Sequence, residues 1–390
     1  MRMPKLSALV FACVAIAAQA ASPGPEAADA VVDGVMRPLM REHGIPGMSV
    51  AITINGRDRI YHYGIASKDS GAAVTDSTLF EIGSVSKTFT AVLAAHAEAR
   101  GVLALSESPS AYLPALRGTA LDQVTLLQLA THTGGGLPLQ VPDAIGDDES
   151  LQAYFHAWRP ASPPGGQRVY SNLGTGLLGM ATAAASGEPF ETAVERRIFR
   201  PLGMQSSFFQ VPDSRRKDYA QGYTKQDAPI RLRPGMFWAE AYGVRSNAAD
   251  LLRFVKAHMP GTRLDPPLRQ AVAAVQQARH RAGELGQGLV WETYPWPATL
   301  DRLLAGNADA MVYDAVEAEW IGPARRDEAE VVVNKTGSTN GFAAYVAFVP
   351  SRRLGIVMLA NRNYPAAARI RAAHAVLTAL DARDGNGRGR

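Results

Sequence analysis

The stretch GFAAYVAFVPSRRLGIVMLA, residues 341–360, decides the fold. Residues 341–350 and 354–360 read as two β-strands joined by a Ser-Arg-Arg turn. A similar pair lies near the other end of the chain. Residues 48–54 (MSVAITI) are β-rich, and Asn55-Gly56 is a strong hairpin signal before a strand over residues 59–65. Residues 365–382 then read as a closing amphipathic helix. Between the ends the chain is helical: residues 84–100 stop at Gly101, and residues 125–133 (TLLQLATHT) end in the glycine triplet 134–136. Strands at both ends with helices between predict an α/β protein of the α+β type. An antiparallel sheet flanked by helices would be formed from both chain ends, with an inserted, mostly helical domain and a cleft at the junction. The expected division puts residues 21–99 and 175–382 in the α/β domain, 100–174 in the helical domain, and 383–390 in a flexible polar tail.

The chain has 390 residues, 47% hydrophobic and 19% charged, enough for one large core or two sub-domains sharing a cleft. Its first twenty residues read as a signal peptide: Arg2 and Lys5, an apolar stretch over residues 6–18, then Ala18-Gln19-Ala20. That stretch falls short of the ~20 residues that span a bilayer. The expected location is therefore the periplasm, with no membrane attachment after cleavage. Losing Arg2 and Lys5 takes the formal charge from +4 to +2, a balance that favours neither nucleic acid nor an anionic membrane as partner. The single cysteine, Cys13, lies in the leader, so the mature chain would have neither a disulfide nor a thiol nucleophile. A monomer is expected.

Three motifs carry chemistry. Ser84-Val85-Ser86-Lys87 opens a helix, and positions i and i+3 share one face, so the hydroxyl and the amine can meet. A serine needs a base, and a desolvated lysine among other cations can serve. In Tyr170-Ser171-Asn172, a tyrosine held between cations can approach the phenolate, and Asn172 offers both a donor and an acceptor to an amide. In Lys335-Thr336-Gly337-Ser338, after the β-rich Val331-Val332-Val333, Lys335 and Thr336 can bind a carboxylate. Gly337 opens the backbone to substrate, and the Ser338 amide would complete an oxyanion hole with that of Ser84. Each motif alone is weak, because chance produces it often. Together, in one order, they supply what acyl transfer needs.

S-x-x-K, Y-x-N and K-T-G in that order resemble the serine β-lactamases and penicillin-binding proteins. Residues 80–90 (FEIGSVSKTFT), 136–142 (GLPLQVP), 239–244 (AEAYGV), 335–350 and 354–365 (LGIVMLANRNYP) narrow the resemblance to class C β-lactamases, over roughly residues 27–380. The resemblance implies a β-lactam substrate, an acyl-enzyme on Ser84, and base work shared by Lys87 and Tyr170. Gln140 and Asn172 would hold the substrate's side-chain amide, and Tyr242 would wall that pocket. Lys335, Thr336, Asn363 and Arg369 would line the region receiving its carboxylate. The sequence departs from the family pattern at Asn334, often His; Ser338, often Ala; Asn340, commonly Gly; and Ala366, often Asn. These bear on the substrate spectrum rather than the reaction.

No cofactor or metal is expected, because the eight histidines lack metal-ligand spacing. His132 beside the glycine triplet reads as a structural histidine. Gly174 to Gly179 matches G-x-G-x-x-G but follows Tyr-Ser-Asn rather than a buried strand, and so reads as close helix packing. No G-x-S-x-G elbow is present. The Asn334-Lys335-Thr336 sequon overlaps the site motif and is discounted. The rival classes are a D-alanyl-D-alanine carboxypeptidase or penicillin-binding protein, an esterase of the same fold, and a non-enzymatic penicillin sensor.

Overall fold

In the computed structural model, which describes residues 25–323 and 330–385, the hairpin over residues 341–360 lies inside a nine-stranded antiparallel sheet. The strands are β1 (Gly47–Ile54), β2 (Arg57–Gly64), β3 (His280–Ala282), β4 (Leu285–Gln287), β5 (Glu292–Pro295), β6 (Glu319–Trp320), β7 (Val331–Ser338), β8 (Ala343–Val349) and β9 (Leu354–Ala360). Their order is β6-β3-β4-β5-β7-β8-β9-β1-β2. The N-terminal hairpin therefore adds to the far side of the C-terminal one, with Met48 opposite Ala360 and Ile54 opposite Leu354. Asn55 (φ 53°) and Gly56 (φ 84°) make the two-residue turn that the sequence announces, since both central positions of such a turn need positive φ.

The apolar runs show no alternation because both faces of the sheet are covered. Ala343, Tyr345, Ala347 and Val349 share one core with helices α1 (Pro25–Glu42) and α8 (Ala366–Gly385). Ala344, Val346 and Phe348 belong to the other core, with Leu251, Phe254 and Val255 of α6 (Ala248–Ala257). This second core continues into the helical region. There α2 (Lys87–Ala99), buried along most of its length, packs on α4 (Asn172–Ser186) and α7 (Pro266–Val275).

Three expectations need adjusting. The boundary expected between residues 174 and 175 falls inside α4, whose first turn carries Asn172. The closing helix α8 runs to Gly385, past the limit at 382. The helix expected over residues 125–133 is the shorter α3 (Leu126–Ala130), started by a Thr125–Gln128 capping box. The glycines of the G-x-G-x-x-G match do pack closely. A Cβ on Gly176 would lie 2.1 Å from the ring of Phe237, next to α5 (Trp238–Ala241). The expected leader, residues 1–20, and residues 386–390 of the tail lie outside the described residues.

Candidate active site

Ser84 sits in a 3-10 turn, Gly83–Ser86, just ahead of α2. The turn lies directly on β7. A Cβ on Gly83 (φ 51°) would come within 2.5 Å of the Ser338 backbone, and one on Gly337 within 2.0 Å of the Ile82 carbonyl oxygen. Two backbones thus meet with no side chain between them, which explains why glycine stands at both positions. The seam brings the Ser84 and Ser338 amides onto adjoining backbones, where an oxyanion hole needs them.

Lys87 is fully buried at the start of α2. Its Nζ donates to Ser84 Oγ at 3.0 Å and to the carbonyl of Ala241, the last residue of α5, at 2.8 Å. Burial lowers its pKa to about 8; Tyr170 opposes that fall and Lys335 adds to it. Tyr170 is also buried. The centroid of its ring lies 5.0 Å from Lys335 Nζ, 5.1 Å from Lys87 Nζ and 5.5 Å from Arg168 Cζ. Burial alone would raise the phenol, but the Lys335 and Lys87 charges bring it down to about 8, while its hydroxyl sits buried without a hydrogen-bond partner of its own. A serine thus has two candidate bases poised near neutrality.

Lys335 projects from β7 into the same buried cluster. Its Nζ donates to the Thr336 carbonyl at 3.1 Å and lies 3.9 Å from Glu292 Oε1. Glu292 is 3.2 Å from Arg168 Nη2, and Arg168 also donates to Gln287 Oε1 at 2.7 Å and to the Met311 carbonyl. Sequence reasoning missed Arg168 and Glu292. One sign was available: a lysine after an apolar strand such as Val331-Val332-Val333 requires a buried carboxylate, although nothing in the spacing says which. The register supplies it, because Glu292 on β5 faces Asn334, the residue before Lys335.

The rest of the expected set gathers at the mouth. Asn172 Nδ2 donates to Gln140 Oε1 at 3.0 Å, while Asn172 Oδ1 is buried without a partner. The two are held together because the Asn172 amide donates to the Leu139 carbonyl, and the Ser171 hydroxyl donates to that of Pro138 while capping α4. Gln140 is exposed; Tyr242, Thr336 and Asn363 are half-buried. Arg369 departs from its expected place. It is 2% exposed, and its guanidinium donates to the Gly337 carbonyl (2.8 Å), Ser338 Oγ (2.9 Å) and Asn363 Oδ1 (2.9 Å). It braces the oxyanion strand instead of presenting itself to a substrate carboxylate. Ser338, where the family often has Ala, thereby gains a partner.

A serine held by a buried lysine, a phenol of lowered pKa and a backbone seam beside the nucleophile define a serine acyl-transfer enzyme. The sequence model of the Beta-lactamase family matches residues 32–381, and the chain belongs to that family. A beta-lactamase of Pseudomonas fluorescens is 46% identical over 351 residues, which cover 90% of this chain and 98% of that protein. Among solved structures, a class C beta-lactamase in complex with cefoxitin has TM-score 0.87 and 44% identity, over 90% of this chain and 99% of the other. The D-alanine carboxypeptidase AmpC from Burkholderia cenocepacia has TM-score 0.87 and 47% identity, over 91% and 99%. The fold expected from the sequence is the fold these proteins share.

Proposed function

We infer that this protein is a class C serine β-lactamase, which opens β-lactam rings through an acyl-enzyme on Ser84. The observation that carries this reading is the contact of Lys87 with Ser84 Oγ beside a phenol at about 8. Lys87 and Tyr170 titrate as a coupled pair, and loss of one proton from the pair creates the base that receives the Ser84 proton. Ser84 attacks the lactam carbonyl, and the oxyanion rests on the Ser84 and Ser338 amides. The ring nitrogen leaves as an amine after taking a proton by way of Tyr170. Tyr170 then activates the water that cleaves the ester and restores Ser84. Asn172 and Gln140 receive the side-chain amide of the substrate. Lys335, Thr336 and Asn363 receive its carboxylate, which shares Lys335 with Glu292.

The leader pattern of residues 1–20 supports export to the periplasm. Among the described residues the large exposed apolar side chains are Val102, Tyr313, Trp320 and Ile321, which supports a monomer. The small net charge supports a protein without a nucleic-acid partner.

The test is nitrocefin hydrolysis by the mature protein with EDTA present, followed over many turnovers. Sustained turnover is expected. A stoichiometric burst followed by silence would move the protein to the carboxypeptidases, the activity named for the Burkholderia neighbour, and the deacylation roles would fall.

A further inference from the structure

His132 touches all three residues of the segment that carries the catalytic phenol. Its carbonyl accepts the Val169 amide at 2.8 Å. Its ring lies against that of Tyr170, with centroids 4.5 Å apart and planes tilted by 46°. Its Nδ1 accepts the Ser171 amide at a long 3.4 Å. The residue is 3% exposed and holds a φ of 59°, a left-handed conformation uncommon for anything but glycine. A strained backbone at a buried position persists only where its surroundings hold it in place.

Two features separate this histidine from a packing residue. An Nδ1 that accepts a backbone N–H leaves the proton on Nε2, and Nε2 is buried without a partner. A phenylalanine would fill the space without leaving such a donor stranded, so the acceptor at Nδ1 is what distinguishes the side chain. The ring must also stay neutral for Nδ1 to accept. Burial, and then the nearby Arg168, Lys87 and Lys335, hold the imidazole well below its ordinary range.

We propose that His132 is a positioning residue for the reaction, gripping residues 169–171 so that the Tyr170 phenol stays between Lys87 and Lys335. The inference rests on the reading of Tyr170 as proton carrier. A shift of the phenol by an ångström weakens its approach to Ser84 and its exposure to the two ammonium charges together.

The test compares His132→Phe, which keeps a ring and loses the acceptor, with His132→Asn, which keeps an acceptor and tolerates left-handed backbone. Nitrocefin kcat and KM are measured across the neutral to alkaline range, with thermal melts as the folding control. For His132→Phe, kcat should fall by about 10²-fold, the scale of ångström misplacement, with KM nearly constant. The acid limb of the profile should move to higher pH, because the phenol leaves the cations that hold it down. His132→Asn should recover part of both effects. In a Tyr170→Phe background, His132→Phe should add no further loss. A wild-type rate and limb in a folded His132 variant, or losses that add fully to those of Tyr170→Phe, would overturn the proposal. If His132→Phe fails to fold, His132→Asn must still show a smaller displacement of the limb, and an unmoved limb there overturns it equally. Should Tyr170→Phe itself keep wild-type activity, the reading of Tyr170 fails first, and the inference fails with it.

Discussion

Tyr170, Lys87, Lys335, Arg168 and Glu292 are each at most 5% exposed and hold one another in place, whereas Gln140, Tyr242, Thr336 and Asn363 stand exposed or half-buried around the mouth of the same cleft. In the floor, protonation state and geometry are set by neighbouring charges without help from substrate. Asn172 joins the two, with a buried Oδ1 that has no partner and an Nδ2 that donates to the exposed Gln140. The contrast teaches that reaction and fold share residues in the floor, while substrate choice is confined to the mouth. A floor substitution should therefore disturb rate, pH profile and stability together, and a mouth substitution should alter selectivity alone.

Ser84→Ala gives the largest effect and marks the limit of that rule, since Ser84 lies where floor and mouth meet. Turnover should fall by about five to six orders of magnitude with the melt unchanged. Intact-mass detection of a penicilloyl adduct on the variant would place the nucleophile elsewhere. Glu292→Ala sharpens the contrast from the floor. It leaves Arg168 and Lys335 buried without their carboxylate and should cost about 3–5 kcal/mol in urea unfolding. A loss below about 1 kcal/mol would show that the buried charges do not depend on one another.

Lys335→Ala probes a second residue that belongs to both regions. Glu292 keeps Arg168, so the stability loss should be smaller than for Glu292→Ala. In the wild type, protonating the Lys87–Tyr170 pair removes the base, so kcat/KM should fall about tenfold per pH unit below about 8. Removing Lys335 deletes the largest charge lowering the Tyr170 pKa, so this limb should move to higher pH for every substrate. Carboxylate-bearing substrates should lose about tenfold to a hundredfold beyond that, and neutral esters should not. Equal losses for both would mean that Lys335 is no clamp. Gln140→Ala is the smallest test and is set at the mouth. Stability should change by less than about 0.5 kcal/mol, and kcat/KM should drop a few-fold only for substrates with an amide side chain. An equal drop for substrates lacking the amide would break the division between floor and mouth.

The sequence made legible whatever a local signal states. Asn55-Gly56 names its own turn, and Lys335-Thr336-Gly337 after three valines marks the catalytic strand and the glycine its close approach demands. Ser84, Lys87, Tyr170 and Lys335 were found through motif order, and the structure brings them together. The strands β3 to β6 were not found, because segments of two to four residues are held by pairing with neighbours rather than by propensity. Arg168 and Glu292 were missed for a related reason: a buried ion partner is chosen by register across strands, which no spacing along the chain records. Arg369 was placed at the mouth by family pattern, whereas its burial depends on α8 lying over the Gly337 end of β7.

The pairing of β1 with β9 also governs when this molecule can come into being. The Gly47 amide donates to Asn361 Oδ1 across 314 residues of chain. A nascent polypeptide cannot close its sheet until its last strand has been synthesised, and the seam between Gly83 and Gly337 cannot form before β7 exists. Contacts of such separation make folding slow and keep partly built chains open. Catalytic competence is therefore all-or-none along the length of the chain, and a fragment truncated anywhere before the last strand is not a weaker enzyme but an unfinished one.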